Sequence, residues 1–292
     1  MAKSRAILKR RKAVQNIRKI TRTMQLISTA RFQRAFNRAM AFKSYSEKIA
    51  QMVSNVSEHA EVDHPLLRKV DRPERLAMLF VTSNRGLCGG YNSRVLHTGV
   101  DFFKRQRAEG SQIELAAVGK KGLNYLRFMK LEVARRYVLP DSPSYQEVEE
   151  ISNQYRSEFA EGKVDAVFVA HMQFCSTSRQ VARVLQLLPV TPSVRAETEK
   201  RPASKTEYVQ YDFTPSAGEL LAELLPEAVN VALYQCFIDA VVSEQVARMV
   251  AMKAATDNAE EMIKLLTRQA NRARQAQITR ELTELMAGSE GR

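Results

Sequence analysis

The sequence predicts an α/β fold class: an antiparallel coiled coil of long N- and C-terminal helices, plus a central Rossmann-like α/β domain with a mostly parallel sheet. Three observations predict it. Residues 4–58 and 227–286 contain neither proline nor glycine. Apolar residues in both stretches recur at steps of three and four. The segment between them changes to short apolar runs of strand length, most of them followed by a helix-forming stretch. The domains read as residues 1–60, 61–216 and 217–292.

The first helix is rich in Arg, Lys, Ala, Gln and Met, all good helix formers. At 1.5 Å per residue, roughly 55 residues make it about 80 Å long. Ile20, Met24, Ile27, Ala35, Ala39, Phe42, Ile49, Met52 and Val56 are its expected seam. His64-Pro65 stops it, because proline removes a donor and pushes the preceding residue out of the helical region. The C-terminal helix, after Pro226, is predicted at about 60 residues, or about 90 Å. Its seam is Met249, Met252, Thr256, Ala259, Ile263, Leu266, Ala270 and Ala273. Such helices are marginal in water unless the seam is buried, so each needs a partner, and each is the other's natural one. Ile278, Leu282 and Leu285 continue past the expected paired region.

In the middle, residues 76–82, 113–118 and 164–170 are the expected strands. Residues 91–108 and 120–129 are expected helices, and 178–188 reads as either helix or strand. Apolar strands alternating with helices imply a sheet covered on both faces. Residues 190–216, with Pro192, Pro202 and Pro215, read as an exposed connection.

The net charge of +13 is local, because residues 1–48 hold fourteen lysines and arginines against the single acid Glu47. The first helix therefore meets something acidic or anionic, or is a solvated charged face. Nucleic acid is disfavoured by the scarcity of aromatic residues for stacking in residues 1–31, and an acidic protein partner is preferred. The same composition marks an organellar transit peptide. Cys88, Cys175 and Cys236 have no metal or disulfide spacing. With no signal segment and no run of 18 uninterrupted apolar residues, a soluble intracellular chain in a reducing compartment is expected.

Gly86-Leu-Cys-Gly-Gly-Tyr-Asn92 lies between a strand and a helix, where a phosphate loop would sit. It matches neither phosphate-loop pattern, and Gly119-Lys-Lys-Gly122 stands where a ribose-binding acid is expected. A structural turn is the favoured reading. Cys88 has no histidine near it in sequence and reads as an inert thiol. His59, His64, His97 and His171 lack metal-ligand spacing, and His171 reads as a satisfied core residue. Asp141, Glu147, Glu149 and Glu150 read as a solvated helix face. No catalytic, cofactor or metal site is predicted.

Val14-Gln-Asn16, Lys19-Ile-Thr21, Met24, Arg85-Gly-Leu-Cys-Gly-Gly-Tyr-Asn92 and Gln186-Leu-Leu-Pro189 carry a resemblance that spans the chain. Its strongest parts are Ser243-Glu-Gln-Val-Ala-Arg-Met-Val-Ala-Met-Lys-Ala-Ala-Thr-Asp-Asn258 and Asn271-Arg-Ala-Arg-Gln-Ala-Gln-Ile-Thr-Arg-Glu-Leu-Thr-Glu284. The chain resembles the gamma subunit of F-type ATP synthase, the central rotor shaft of the F1 sector. The resemblance implies a non-catalytic subunit without cofactor, turned by a proton- or sodium-driven membrane ring. Its partners are then the alpha and beta subunits, the epsilon subunit and the c-ring, with no nucleic acid and with membrane association only through the complex.

It further implies that Lys19, Arg22 and Met24 face an acidic loop of a beta subunit. Arg274 and Gln275 make polar contacts with the hexamer, with Thr279 and Glu281 nearby. Leu282, Leu285 and Met286 enter an apolar bearing. Thr23 and residues 193–208 depart from the family pattern, and no regulatory cysteine insertion is present. Motifs starting almost at Met1 leave no room for a transit peptide, so the cytoplasmic face of a bacterial inner membrane is expected. A nucleotide-binding α/β enzyme with helical arms and a nucleic-acid-binding coiled coil are the competing readings.

Overall fold

In the computed structural model of the protein the described residues are 2–59, 64–68, 70, 72–190 and 217–290; the side chains of 2–4, 54, 55, 57–59, 217, 284, 285 and 287–290 lie outside the description. The elements in order are α1 (Ala2–His59), β1 (Arg75–Val81), α2 (Tyr91–Ala108), β2 (Gln112–Val118), α3 (Lys120–Phe128), β3 (Arg135–Tyr137), α4 (Tyr145–Ala160), β4 (Ala166–Phe174), β5 (Gln180–Leu188) and α5 (Ala217–Glu290). They form two compact units, one of Met1–Arg31 with Ala247–Arg292 and the other of Phe32–Val246.

The first unit is a pair of helices from α1 and α5. Thr21 faces Thr256, with hydroxyl oxygens 2.8 Å apart, and Arg18 pairs with Glu260 at 3.5 Å. Val14 packs with Ala259 and Leu266. Partner numbers rise on one helix as they fall on the other, so the pairing is antiparallel. The α5 seam is as expected, with Met252, Thr256, Ala259, Leu266 and Ala270 buried.

The α1 seam is not as expected. Ile20 and Ile27 are exposed, and the buried residues are Val14, Thr21 and Ser28. The threes-and-fours track through Val14, Arg18, Thr21, Gln25 and Ser28 lies beside the one that holds the large apolar residues. Small side chains at Thr256, Ala259 and Ala270 make a narrow seam, which small residues on α1 fill with less separation of the helix axes. The buried hydroxyls bond to each other and to carbonyls of their own helices, Thr21 to Arg18 at 3.1 Å and Thr256 to Met252 at 2.8 Å, which makes them tolerable there. Thr21→Val or Thr256→Val alone is expected to cost about 1 kcal/mol, and the double variant no more than either single one. A double-mutant cycle by urea denaturation checks this, and additive losses would contradict it.

The second unit holds a five-stranded sheet in the order β3-β2-β1-β4-β5. Its first four strands are parallel, and β5 pairs antiparallel with β4. Residues 178–188, left open between helix and strand, contain this edge strand. Alternate residues of β1 reach opposite faces. Leu76, Met78 and Phe80 are buried, and Phe80 lies on the α2 side, against Gly99. Ala77, Leu79 and Val81 join a core with Val148, Tyr155 and Phe159 of α4 and Leu225, Val229 and Phe237 of α5. Burial on both faces explains why β1 reads as a continuous apolar run. Met52, expected in the seam, is exposed, whereas Ala39, Ile49 and Val56 are buried.

Helix α5 starts at Ala217, ahead of the expected 227, with Pro226 inside it. An internal proline costs about 3 kcal/mol. Leu221 and Leu225, both fully buried, offset it with about 1.5–3 kcal/mol each. The same core role explains the apolar character of α5, whose 18-residue window of mean hydropathy 1.3 is long and apolar enough to cross a membrane but is 61% buried in the fold. The expected connection at 190–216 lies, after residue 190, outside the described residues. Beyond the expected stop at His64-Pro65, Pro65–Leu67 form a short 3-10 turn, and the His64 ring accepts from the Leu66 N–H.

Candidate functional site

Two places could carry function: the loops at the carboxyl ends of the parallel strands, and the exposed surfaces of the helix pair. The loop after β1 is tied down by its own side chains. Asn92 Oδ1 accepts from the Ser83 N–H at 3.0 Å, and Asn92 Nδ2 donates to Cys88 Sγ at 3.2 Å. Leu87 and Gly89 take left-handed backbone conformations, with φ of 62° and 55°, to turn the chain inside this knot. Cys88 is buried, and the Ser83 hydroxyl donates to the Arg85 carbonyl at 2.6 Å.

The neighbouring loop is closed as tightly. Thr82 Oγ1 donates to the Val118 carbonyl at 2.7 Å and accepts from the Gly122 N–H at 3.0 Å. The Gly122 amide in the first turn of α3 is thus bonded to protein. The bonds around Asn92, Cys88 and Thr82 fit the structural turn.

The acidic residues are spent separately. Glu147 forms a capping box with Ser144, whose N–H donates to it at 2.7 Å and holds its carboxyl below the usual range. Asp141 pairs with Arg85 at 3.7 Å. Among the described residues no group of three His, Cys, Asp or Glu could hold a metal. His171 is buried as expected, but among the described residues its Nδ1 has no hydrogen-bond partner. Burial, with Arg183 adding to it, pushes its pKa down to about 4, so the ring is neutral at pH 7.

The helix pair presents the expected contact residues differently at its two ends. Lys19 and Arg22 are exposed and Met24 is half-buried. Arg22 donates to Gln25 Oε1 at 3.0 Å, along the helix. Arg274, Gln275, Thr279, Glu281, Leu282 and Met286 all lie on exposed positions of α5, and the side chain of Leu285 lies outside the described residues. Gln277 Nε2 donates to Glu281 Oε1 at 2.8 Å.

The pairing of Thr21 with Thr256 puts the first group near the start of the α5 segment that begins at Ala247. Arg274 lies about 27 Å further along the axis. The two groups of expected contact residues therefore lie on separate stretches of the helix pair. Missed at the level of sequence was a third feature, the exposed apolar set Ile17, Ile20, Leu26 and Ile27 on α1. Ile20 and Ile27 carried a signal as apolar spacing, but it was assigned to the seam; Ile17 and Leu26 were given no role. Interleaved with Lys19 and Arg22, they make this surface of α1 both basic and apolar, the composition of a protein-contact surface more than of a purely solvated one.

A family model described as ATP synthase matches residues 3–291. The chain is 43% identical over 292 residues to the ATP synthase gamma chain of Rhodopirellula baltica, covering 99% of each. It is 37% identical to the ATP synthase gamma chain of Leptospira biflexa, again covering 99% of each. Among solved structures, a chain of the Euglena gracilis mitochondrial ATP synthase OSCP/F1/c-ring aligns at a TM-score of 0.69 with 16% identity, covering 99% of this chain and 94% of that one. A chain of the Tetrahymena thermophila mitochondrial ATP synthase central stalk/c-ring aligns at 0.56 with 18% identity, covering 81% and 99%.

Proposed function

Because the chain belongs to the ATP synthase gamma chain family, we propose that it is the central-stalk rotor subunit of an F-type ATP synthase. It performs no chemistry itself. It couples ion-driven rotation of the membrane ring to conformational change at catalytic sites in the beta subunits. Its partners are the alpha and beta subunits, the epsilon subunit and the c-ring. It is part of a membrane-associated complex, which we place at the cytoplasmic face of a bacterial inner membrane.

The single observation that carries this reading is the antiparallel helix pair with a buried narrow seam and unlike exposed surfaces. A shaft transmits rotation as affinity change only if the surrounding subunits meet a different surface at each angle. The basic and apolar surface of α1 around Lys19, Arg22 and Met24 supplies one contact, to an acidic loop. The polar positions Arg274, Gln275, Thr279 and Glu281 supply a second, to the hexamer. Leu282, Leu285 and Met286 at the far end enter an apolar bearing.

Arg274→Ala with Gln275→Ala is expected to lower the rate of ATP synthesis in membrane vesicles at least about tenfold, which corresponds to about 1.4 kcal/mol of lost contact free energy. Circular dichroism and melting of the purified chain should be unchanged, since both residues are exposed. Normal synthesis and rotation in that double variant would remove these two residues from the contact. Failure of the wild-type chain to purify with a hexameric ATPase would remove the reading itself.

A further inference from the structure

Within the second unit, α1, the start of α4 and the first turns of α5 line a wide, open groove of about 640 Å³. Its walls include Phe42, Tyr45, Tyr145 and Tyr234, and a carboxylate, Glu227, stands among them. Ring centroids are 4.9 Å apart for Phe42 and Tyr234, 5.2 Å for Tyr145 and Tyr234, and 5.8 Å for Phe42 and Tyr45. The Tyr45 and Tyr145 hydroxyls both donate to Glu227 Oε1, at 2.9 and 2.7 Å. Among the described residues the other oxygen, Oε2, receives only Asn230 Nδ2 at 3.5 Å.

Among the described residues no cation forms an ion pair with Glu227. Arg38, on the rim, donates instead to Ser142 Oγ at 3.1 Å and to the Pro143 carbonyl at 3.4 Å. Lys43 is paired with Glu47 at 3.6 Å. Arg156 interacts with Glu227 only through the longer-range field, while its guanidinium bonds to Asn153. The result is a half-buried carboxylate with one oxygen oriented by two phenols and the other nearly unused.

We propose that this groove is a receptor for a lysine side chain carried by a protein partner. Aromatic faces and a half-buried carboxylate together attract an organic cation. The ammonium of lysine suits the site better than a guanidinium. Arginine engages a carboxylate through both oxygens, but Oε1 already accepts two hydroxyls, leaving one oxygen for a point charge. The groove is open along one side, which admits a side chain attached to another polypeptide and gives a small free ligand little enclosure. The inference stands independently of the rotor reading.

The test is carbodiimide coupling in the complex that purifies with the full-length chain. The reagent converts the Glu227 carboxylate to an O-acylurea, and a lysine amine within contact displaces the urea to form an amide. Peptide mass spectrometry is expected to find Glu227 joined to a lysine of a different polypeptide. Glu227→Gln, which keeps an oxygen for both phenols, should abolish that product with the complex still assembled. Tyr45→Leu, at an exposed ring, should lower its yield at least about fivefold. Absence of coupling at Glu227 while other carboxylates of the chain react would overturn the proposal. So would coupling only to Lys43 or Lys48 of the same chain, or a yield unchanged in Tyr45→Leu.

Discussion

Asp239→Asn is expected to stabilise the chain by about 2–4 kcal/mol at pH 8 and to leave it nearly unchanged at pH 4. Asp239 sits on α5, buried, with Gln235 Nε2 donating to its Oδ1 at 2.9 Å. Burial pushes its carboxyl pKa up to about 7 from an ordinary 3.8; the bond from Gln235, a backbone donor at Phe174 and the charge of Arg183 on β5 oppose this only in part. Arg183 itself stands across the ladder from His171, which is neutral and so adds no second cation.

The sign follows from proton counting. Between pH 4 and 7 the native carboxyl holds its proton while the unfolded one has lost it, so stability falls as pH rises and levels off above 7. Asparagine keeps an acceptor for Gln235 and removes the titration. Urea denaturation of both chains at pH 4, 6 and 8 should give a difference that grows with pH. A constant difference would mean that the carboxyl ionises in the folded protein as it does in water.

Gly119→Ala is expected to destabilise the second unit by about 3–5 kcal/mol. Gly119 has φ of 90° and ψ of 135°, a backbone conformation that suits only glycine. A Cβ there would lie 2.2 Å from the Thr82 carbonyl oxygen and 2.6 Å from its carbon, both backbone atoms that no rotamer change moves. Relief requires the end of β1 to shift. That breaks the bonds Thr82 makes to the Val118 carbonyl and the Gly122 N–H, at 2.7 and 3.0 Å. Gly90→Ala is the control, because its nearest neighbour is the Arg94 side chain at 3.7 Å. Comparable losses in the two variants would show that close approach is not what Gly119 provides.

These positions also show where reading the chain residue by residue stops. Gly119 stood in the sequence as a glycine in place of an expected acid. The reason for it is a carbonyl 37 residues earlier that packs against it. Asp239 drew no reading from the sequence, and only the strands packed over α5 make it a buried carboxyl. Tyr45, Tyr145 and Glu227 come from three separate segments with no common spacing. Ile20 and Ile27 gave the right period but the wrong face, since the large residues looked like the seam and Thr21 and Ser28 fill it instead. His171 was legible as buried, whereas its unpartnered Nδ1 was not.

By itself the sequence determined the two long helices, the period of their seams, the parallel strands buried on both faces, the location of the excess charge and the family. Each of these is a local or periodic property: helix propensity, a stop at proline, or a repeat of two or of three and four, and periodicity needs no partner to be read. The tertiary structure alone decided which track of α1 is buried, that Pro226 lies inside a helix, that residues 180–188 are an edge strand, and that a carboxylate stands among four rings. In each case the outcome depends on what a distant segment presents. A narrow seam selects small residues, two buried leucines offset a proline, a neighbouring strand supplies a ladder, and three segments must meet before their side chains make a site.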